Sequence, residues 1–351
     1  MEGAIDLRTR LKYLLMILSA LWPPNRHDLW RLGNAFRCIL SQSKEKVSSK
    51  PFYAQIEPTT ACNLSCRFCL NPTLTVRHTL SYDDFLQALN GLPTLLMLNL
   101  QGLGEPTLNK DLFRMASEAR RRKIYTFTVT NLNLPELIID KLAQSDFSAI
   151  NISMESIDPD QYSWYRVGGD LALLEQNLQM LKEKRESYGT DFVVGIWTLI
   201  TEDTIDKVHE IFQFAKGSGI IERIQFVFLT DKKSHLDNYD GDLRKQLVVN
   251  RRATASDIRK RLRSLSKEFG ILGYLVEGRC RWLWTGIFVN AEGYVAPCCN
   301  IKNYREPAWG NIRLEENLAE VWQGNEWNMV RKGILSESDG HPSCTGCPYL
   351  Y

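Results

Sequence analysis

Cys62-Asn63-Leu64-Ser65-Cys66-Arg67-Phe68-Cys69 sets three thiols in eight residues, directly after the β-rich run Tyr53 to Glu57. Three cysteines in one loop at a strand's end can converge on a soft metal centre, because thiolates favour iron-sulfur clusters and zinc. Three thiolates leave a four-iron cluster one ligand short. An iron with an open position is a reaction site, by the logic that separates open catalytic zinc from closed structural zinc. The plainer readings are a zinc knuckle and a ferredoxin-like electron carrier. A zinc site usually shows a fourth Cys or His nearby, and His78, in a polar segment, is the only local candidate.

Outward from this loop the chain alternates strand and helix. β-rich runs occur at Tyr53 to Glu57, Leu95 to Gln101, Tyr125 to Thr130, Ala149 to Met154, Phe192 to Leu199 and Ile224 to Leu229. Helical stretches lie between them near Ser81 to Asn90, Lys110 to Arg122, Pro135 to Gln144, Asp170 to Glu186 and Asp203 to Lys216. Strands separated by helices of this length predict right-handed crossovers and a parallel α/β sheet. A second cysteine constellation follows: Cys280, Gly293 leading through Tyr-Val-Ala-Pro to Cys298-Cys299, then Gly310-Asn311-Ile312, Trp322, and Cys344-Thr345-Gly346-Cys347. Cys280, Cys298, Cys344 and Cys347 supply four thiolates, enough to close a zinc or a four-iron site.

CysxxxCysxxCys with an aromatic before the last cysteine resembles the signature of the radical S-adenosylmethionine (SAM) enzymes. The resemblance implies an open, partial (β/α)6 barrel with its site at the carboxyl ends of the strands. It also implies reductive cleavage of SAM to methionine and a hydrogen-abstracting 5′-deoxyadenosyl radical, with an electron donor such as flavodoxin or ferredoxin. Cys62, Cys66 and Cys69 then hold the SAM-binding 4Fe-4S cluster, and Phe68 lies near the adenine. Gly102-Leu103-Gly104-Glu105-Pro106 resembles the family's GGE-type motif, whose polar groups face the SAM amino group. Asn131, Ser153 and Arg166 complete the expected SAM contacts. Two departures stand out: Leu132 where a glycine is common, and Glu155 where relatives often carry aspartate.

The second constellation resembles the C-terminal SPASM or twitch extension of the same enzymes. Four residues remain after Cys347, so the expectation is one fully covered auxiliary 4Fe-4S cluster, with zinc as the alternative ligand of the same four cysteines. Cys299 is left over. It is an inert thiol, a hydrogen-atom donor of the kind radical epimerases use, or the ligand in place of Cys298. The expected division is a helical extension at 1–50, a radical SAM core at 51–230, a helical connector at 231–275 and the twitch-like domain at 276–351. Arg251, Arg252, Lys260 and Arg261 read as a solvated basic helix face in that connector.

The chain has 351 residues, 44% hydrophobic and 24% charged, which is enough for a large core domain and a smaller one. Lys and Arg total 43 against 41 acidic residues, a balance that gives no push towards nucleic acid. Nine cysteines, seven in two metal-like clusters, point to a reducing, cytoplasmic compartment rather than a disulfide framework. Cys38 sits in an apolar helical stretch and reads as core. Two helices are expected at Asp6 to Leu21 and Arg26 to Ser41, broken by Pro23-Pro24. Tyr13 to Trp22 is too short to span a bilayer, and residues 1–50 pack on the body or touch a membrane or lipid. Fewer than 62 residues precede the first cluster cysteine, short for a leader-peptide-binding module, which argues against a leader-dependent peptide substrate.

A covered cluster cannot bind substrate through iron, so electron transfer is its expected work. Twitch enzymes include dehydrogenases of aminocyclitols, and the leading expectation is oxidation of a hydroxylated small molecule. The alternatives are epimerisation, or carbon-carbon or carbon-sulfur bond formation, on a peptide or natural product. A non-enzymatic iron-sulfur or zinc protein is the reading from another class.

Overall fold

The computed structural model describes Leu21, residues 23–249, 251–276, 280–300, 309–315, 317–336, Cys344 and Cys347. The helix expected at Asp6 to Leu21 lies outside the described residues but for Leu21, as do Thr345 and Gly346 and the side chain of Arg252. The strands are β1 (Tyr53–Ile56), β2 (Met97–Leu100), β3 (Tyr125–Thr130), β4 (Ala149–Ser153), β5 (Val193–Ile200), β6 (Ile221–Phe228), β7 (Leu272–Leu275), β8 (Gly286–Val289) and β9 (Val295–Ala296). They form one sheet in the order β7-β6-β5-β4-β3-β2-β1-β8-β9. Every pairing is parallel except β8 with β9.

Helices α1 (Arg26–Leu40), α2 (Tyr82–Asn90), α3 (Leu112–Arg121), α4 (Glu136–Ala143), α5 (Pro159–Tyr165), α6 (Leu171–Tyr188) and α7 (Val208–Ser218) precede or connect the first six strands. Because side chains alternate across a strand, Ala54, Ile56, Leu98, Leu100, Ile150, Ile152, Val194 and Ile196 share one buried core with Met115, Ala116, Ile139 and Leu142 of the helices. The opposite face carries amides and an arginine. There Gln55 donates to Gln101 O (3.1 Å), Asn99 to the Gln101 side chain (3.1 Å), and Arg223 to Asn151 Oδ1 (3.1 Å).

The expected partial barrel is present, and both of its edges extend further than the six expected strands. After β6 come α8 (Lys233–Leu236), α9 (Gly241–Lys245) and α10 (Arg251–Phe269), then β7, which pairs with β6. The segment expected as a helical connector is helical and also adds a strand. Its front half also buries Tyr239 and Leu243 against Tyr165 and Leu229. Arg251 is not solvated: it donates to Asp231 (3.0 Å) and to Leu229 O. Its density of charge hides a sparse set of apolar residues in the sequence.

On the other edge β8 pairs with β1, so the C-terminal region continues the sheet. It is held by α11 (Trp282–Thr285), α12 (Leu318–Gln323) and α13 (Asn325–Leu335). Trp284, Trp322, Trp327 and Arg331 are fully buried there, and Arg331 donates to Leu283 O, Trp322 O and Asn328. At the amino ends of the strands, α1 starts on a capping box of Asn25 and Asp28. It is pinned by Arg31, which donates to the carbonyls of Leu95, Arg122 and Lys123. Cys38 is core, as expected, and Leu29, Phe36 and Leu40 remain exposed.

Candidate active site

Parallel strands deliver their following loops to one edge, and the chemistry-bearing residues collect there. The Cys62–Cys69 loop is clamped by backbone bonds from Ser65 N to Val167 O (2.9 Å) and Arg67 N to Tyr165 O (3.0 Å). Asn63 donates to Asn133 O, and Asn131 Nδ2 donates to Asn63 Oδ1, both at 2.8 Å. The three thiols are neighbours. Burial pushes Cys66 up to about 12, opposed by the Arg166 guanidinium and reinforced by Glu155, Cys69 and Cys62. Burial likewise raises Cys62 and Cys69, and Cys69 feels Cys62.

Arg166 sits at the centre of this electrostatics. It forks onto Glu155 with bonds of 2.6 and 2.7 Å, lies 3.9 Å from Cys66 Sγ, and its guanidinium carbon is 5.5 Å from the Phe68 ring centroid. Burial works against its charge, but Glu155 and Cys66 hold its pKa above the ordinary arginine value. The surface ion pair that an isolated arginine suggests is here a buried one.

Gly102 and Gly104 are required by the chain itself. A Cβ on Gly102 would sit 2.2 Å from the Glu57 carboxylate, and one on Gly104 would sit 2.3 Å from Thr59 O and 2.4 Å from Ala61 O. Leu103 O between them lies 3.9 Å from Cys69 Sγ. The Glu105 carboxylate is engaged internally, accepting from Asn131 N (2.9 Å) and from Thr107 N and Oγ1, and burial raises its pKa. Leu132, in place of the common glycine, takes φ 55° while fully buried, so its side chain is bought with backbone strain. Ser153 ends β4 opposite Trp197, and its hydroxyl makes no hydrogen bond to the described residues.

The second set also assembles. Burial raises Cys280, which feels Cys298, Cys347 and Cys344. Cys347 N donates to Cys344 O at 3.0 Å. The Cys298 thiol is raised by its hydrogen bond with Cys299 and by burial, so Cys299 lies against Cys298. None of the nine cysteines is paired in a disulfide. Among the described residues no three His, Cys, Asp or Glu groups are drawn close enough to grip a single metal ion.

Three residues at this edge carry no sequence signal. Glu57, 3% exposed, accepts from Leu103 N (2.7 Å) and Ala291 N (3.1 Å), tying the Gly102–Gly104 turn to the C-terminal region. Burial lifts its pKa to about 7, against those two N–H groups and with help from Glu292. Tyr239 is buried with no hydrogen-bond partner for its hydroxyl among the described residues; burial and the neighbouring Cys69 raise its pKa. Lys232 donates to Asn300 O at 2.8 Å and lowers the proton affinity of Cys298.

The profile of the Radical SAM superfamily matches residues 56–215, and that of the iron-sulfur cluster-binding SPASM domain matches residues 280–348. The chain therefore carries a Radical SAM domain and a SPASM domain. As a radical SAM enzyme with a SPASM domain, it uses SAM and iron-sulfur clusters, and the donor sets suit them: one of three neighbouring thiols and one of four. It is 24% identical over 317 residues to the tungsten-containing aldehyde ferredoxin oxidoreductase cofactor-modifying protein of Pyrococcus furiosus, covering 84% of this chain and 86% of that protein. It is 23% identical over 325 residues to the PqqA peptide cyclase of Xanthomonas axonopodis pv. citri, covering 86% and 81%. Among solved structures, SuiB of Streptococcus suis bound to SAM aligns with a TM-score of 0.65 at 16% identity, over 83% of this chain and 69% of SuiB. SuiB bound to its precursor peptide SuiA aligns at 0.67 and 17%, over 91% and 74%. At these identities SuiB shows the shared fold. Among the described residues no helix is long and apolar enough to cross a membrane.

Proposed function

We propose that this radical SAM enzyme oxidises a peptide, removing hydrogen from a side chain and forming a new bond there. Cys62, Cys66 and Cys69 hold the SAM-binding cluster, and Cys280, Cys298, Cys344 and Cys347 hold the auxiliary one. When bound, these groups supply a hydrogen-abstracting 5′-deoxyadenosyl radical and a one-electron sink. Phe68 and the backbone of Gly102 to Gly104 flank SAM, Glu105 and Asn131 fix that backbone, and the Arg166–Glu155 pair orients the loop from below.

The observation that carries the reading is the segment after β6, which is tied to both thiol regions: Asp240 pairs with Arg67 of the cysteine loop (2.6 Å), and Lys232 donates to Asn300 O (2.8 Å), whose N–H reaches Cys298 Sγ (3.4 Å). The amide-rich inner face of the sheet, with Gln55, Asn99, Gln101 and Asn151, offers paired donors and acceptors of the kind peptide groups need. The names of the relatives, a peptide cyclase and a cofactor-modifying protein, support a peptide or a comparably large substrate. They lend nothing to oxidation of a hydroxylated small molecule, the reaction expected from the sequence. A peptide substrate, which the sequence kept as an alternative, takes its place.

Anaerobic reconstitution, iron counting and a dithionite assay for 5′-deoxyadenosine test the reading on the wild type and on Cys62→Ala/Cys66→Ala/Cys69→Ala. About eight irons per chain fall to about four in the triple variant, and SAM cleavage is lost. With peptides encoded beside the gene, mass spectrometry finds a product lighter by two hydrogens. Four irons or fewer in the wild type, or unchanged SAM cleavage in the variant, overturns it.

A further inference from the structure

Lys232 lies directly after the carboxyl end of β6 and is 3% exposed. Its backbone is fixed on both sides: its N–H meets Thr230 Oγ1, and its carbonyl accepts from His235 N and Leu236 N. Its ammonium donates to one carbonyl, Asn300 O at 2.8 Å, two residues beyond Cys298. No carboxylate comes within 4.0 Å of it among the described residues. An ammonium brings three donors and a full charge, and burying it without an anion is costly.

Three other buried cations are answered differently. Arg31 has Asp28 and Arg166 has Glu155. Arg331 spreads its delocalised charge over two carbonyls and Asn328 and lies 4.5 Å from the Trp322 ring centroid. Among the described residues Lys232 has only the Asn300 carbonyl, and the N–H of the same Asn300 reaches Cys298 Sγ at 3.4 Å.

We propose that Lys232 is the counter-charge of the auxiliary cluster, a positioning residue that favours its one-electron reduced state. The inference rests on the reading that Cys280, Cys298, Cys344 and Cys347 hold that cluster. A thiolate-ligated cluster becomes more negative by one unit when it takes up an electron. A fixed, buried positive charge therefore stabilises the reduced form more than the oxidised form. Cluster potentials respond to local charge and burial, and this residue supplies both.

The test is an anaerobic redox titration of the full chain in the Cys62→Ala/Cys66→Ala/Cys69→Ala background, so that only the auxiliary cluster responds, with dithionite supplying the electron and paramagnetic resonance reading it. Lys232→Met moves the midpoint to lower potential, a drop on the order of tenfold in the reduced-to-oxidised ratio at fixed potential. Lys232→Arg, which keeps the charge, stays near the parent. A midpoint unchanged in Lys232→Met at equal iron content overturns the inference, as does a fall of equal size in Lys232→Arg. An unchanged potential in that background, with a raised KM for substrate when Lys232→Met is placed in the chain with Cys62, Cys66 and Cys69 intact, assigns the ammonium to a substrate anion instead and also overturns it. A parent without iron overturns the two-cluster reading itself and takes this inference with it.

Discussion

Arg166 near Cys66 and Lys232 near Cys298 are both buried cations, and the protein partners them differently. Arg166 is matched by a bidentate carboxylate, which makes it a rigid, planar support for the Cys62–Cys69 loop. Lys232 is matched, among the described residues, by a carbonyl alone, and its charge lowers the proton affinity of Cys298.

The contrast is broken most directly by stability. Glu155→Gln strands the Arg166 charge in the interior and is expected to cost about 3–5 kcal/mol in denaturant unfolding of the apoprotein. Lys232→Met removes a buried charge with no carboxylate to strand and is expected to cost less than about 1 kcal/mol, or to stabilise. Equal losses in the two variants remove the distinction.

Glu57 joins the two regions, and its pH response sharpens the comparison. Its folded pKa of about 7 lies above the ordinary 4.5, so folding takes up a proton between those values, and stability falls as pH rises through that window. The full loss is on the order of 3 kcal/mol. In urea titrations from pH 4.5 to pH 7, Glu57→Gln should show a flatter profile than the wild type; an unchanged slope assigns the pH dependence elsewhere.

The smallest effect belongs to Arg67 and Asp240, an ion pair of 2.6 Å that is 35% and 50% exposed beside the first set. A double-mutant cycle should give a coupling below about 1 kcal/mol that fades in roughly 1 M salt. A larger, salt-resistant coupling makes the segment after β6 part of the loop clamp.

Much of this was legible beforehand. Strand β3 falls at Tyr125–Thr130 as expected from its alternation, and the other five expected strands differ from the observed ones by a few residues at their ends. In 231–275, expected as a helical connector, the helices are present, but charged residues outnumber the apolar ones and hide a strand and a capped, buried segment. Strand β7 has four residues and borrows its order from β6, so no local pattern announces it. Gly102 was legible as a tight approach, but what approaches is Glu57, 45 positions earlier in the chain.

The sequence by itself determined the two thiol sets and the α/β alternation, because metal chemistry and strand-helix periodicity are properties of neighbours along the chain. Only the tertiary structure decided which charges are spent and which are left to act. The worth of a carboxylate or an ammonium depends on its burial and its partner, and the partners of Glu57 and Lys232 lie 234 and 68 positions away in sequence.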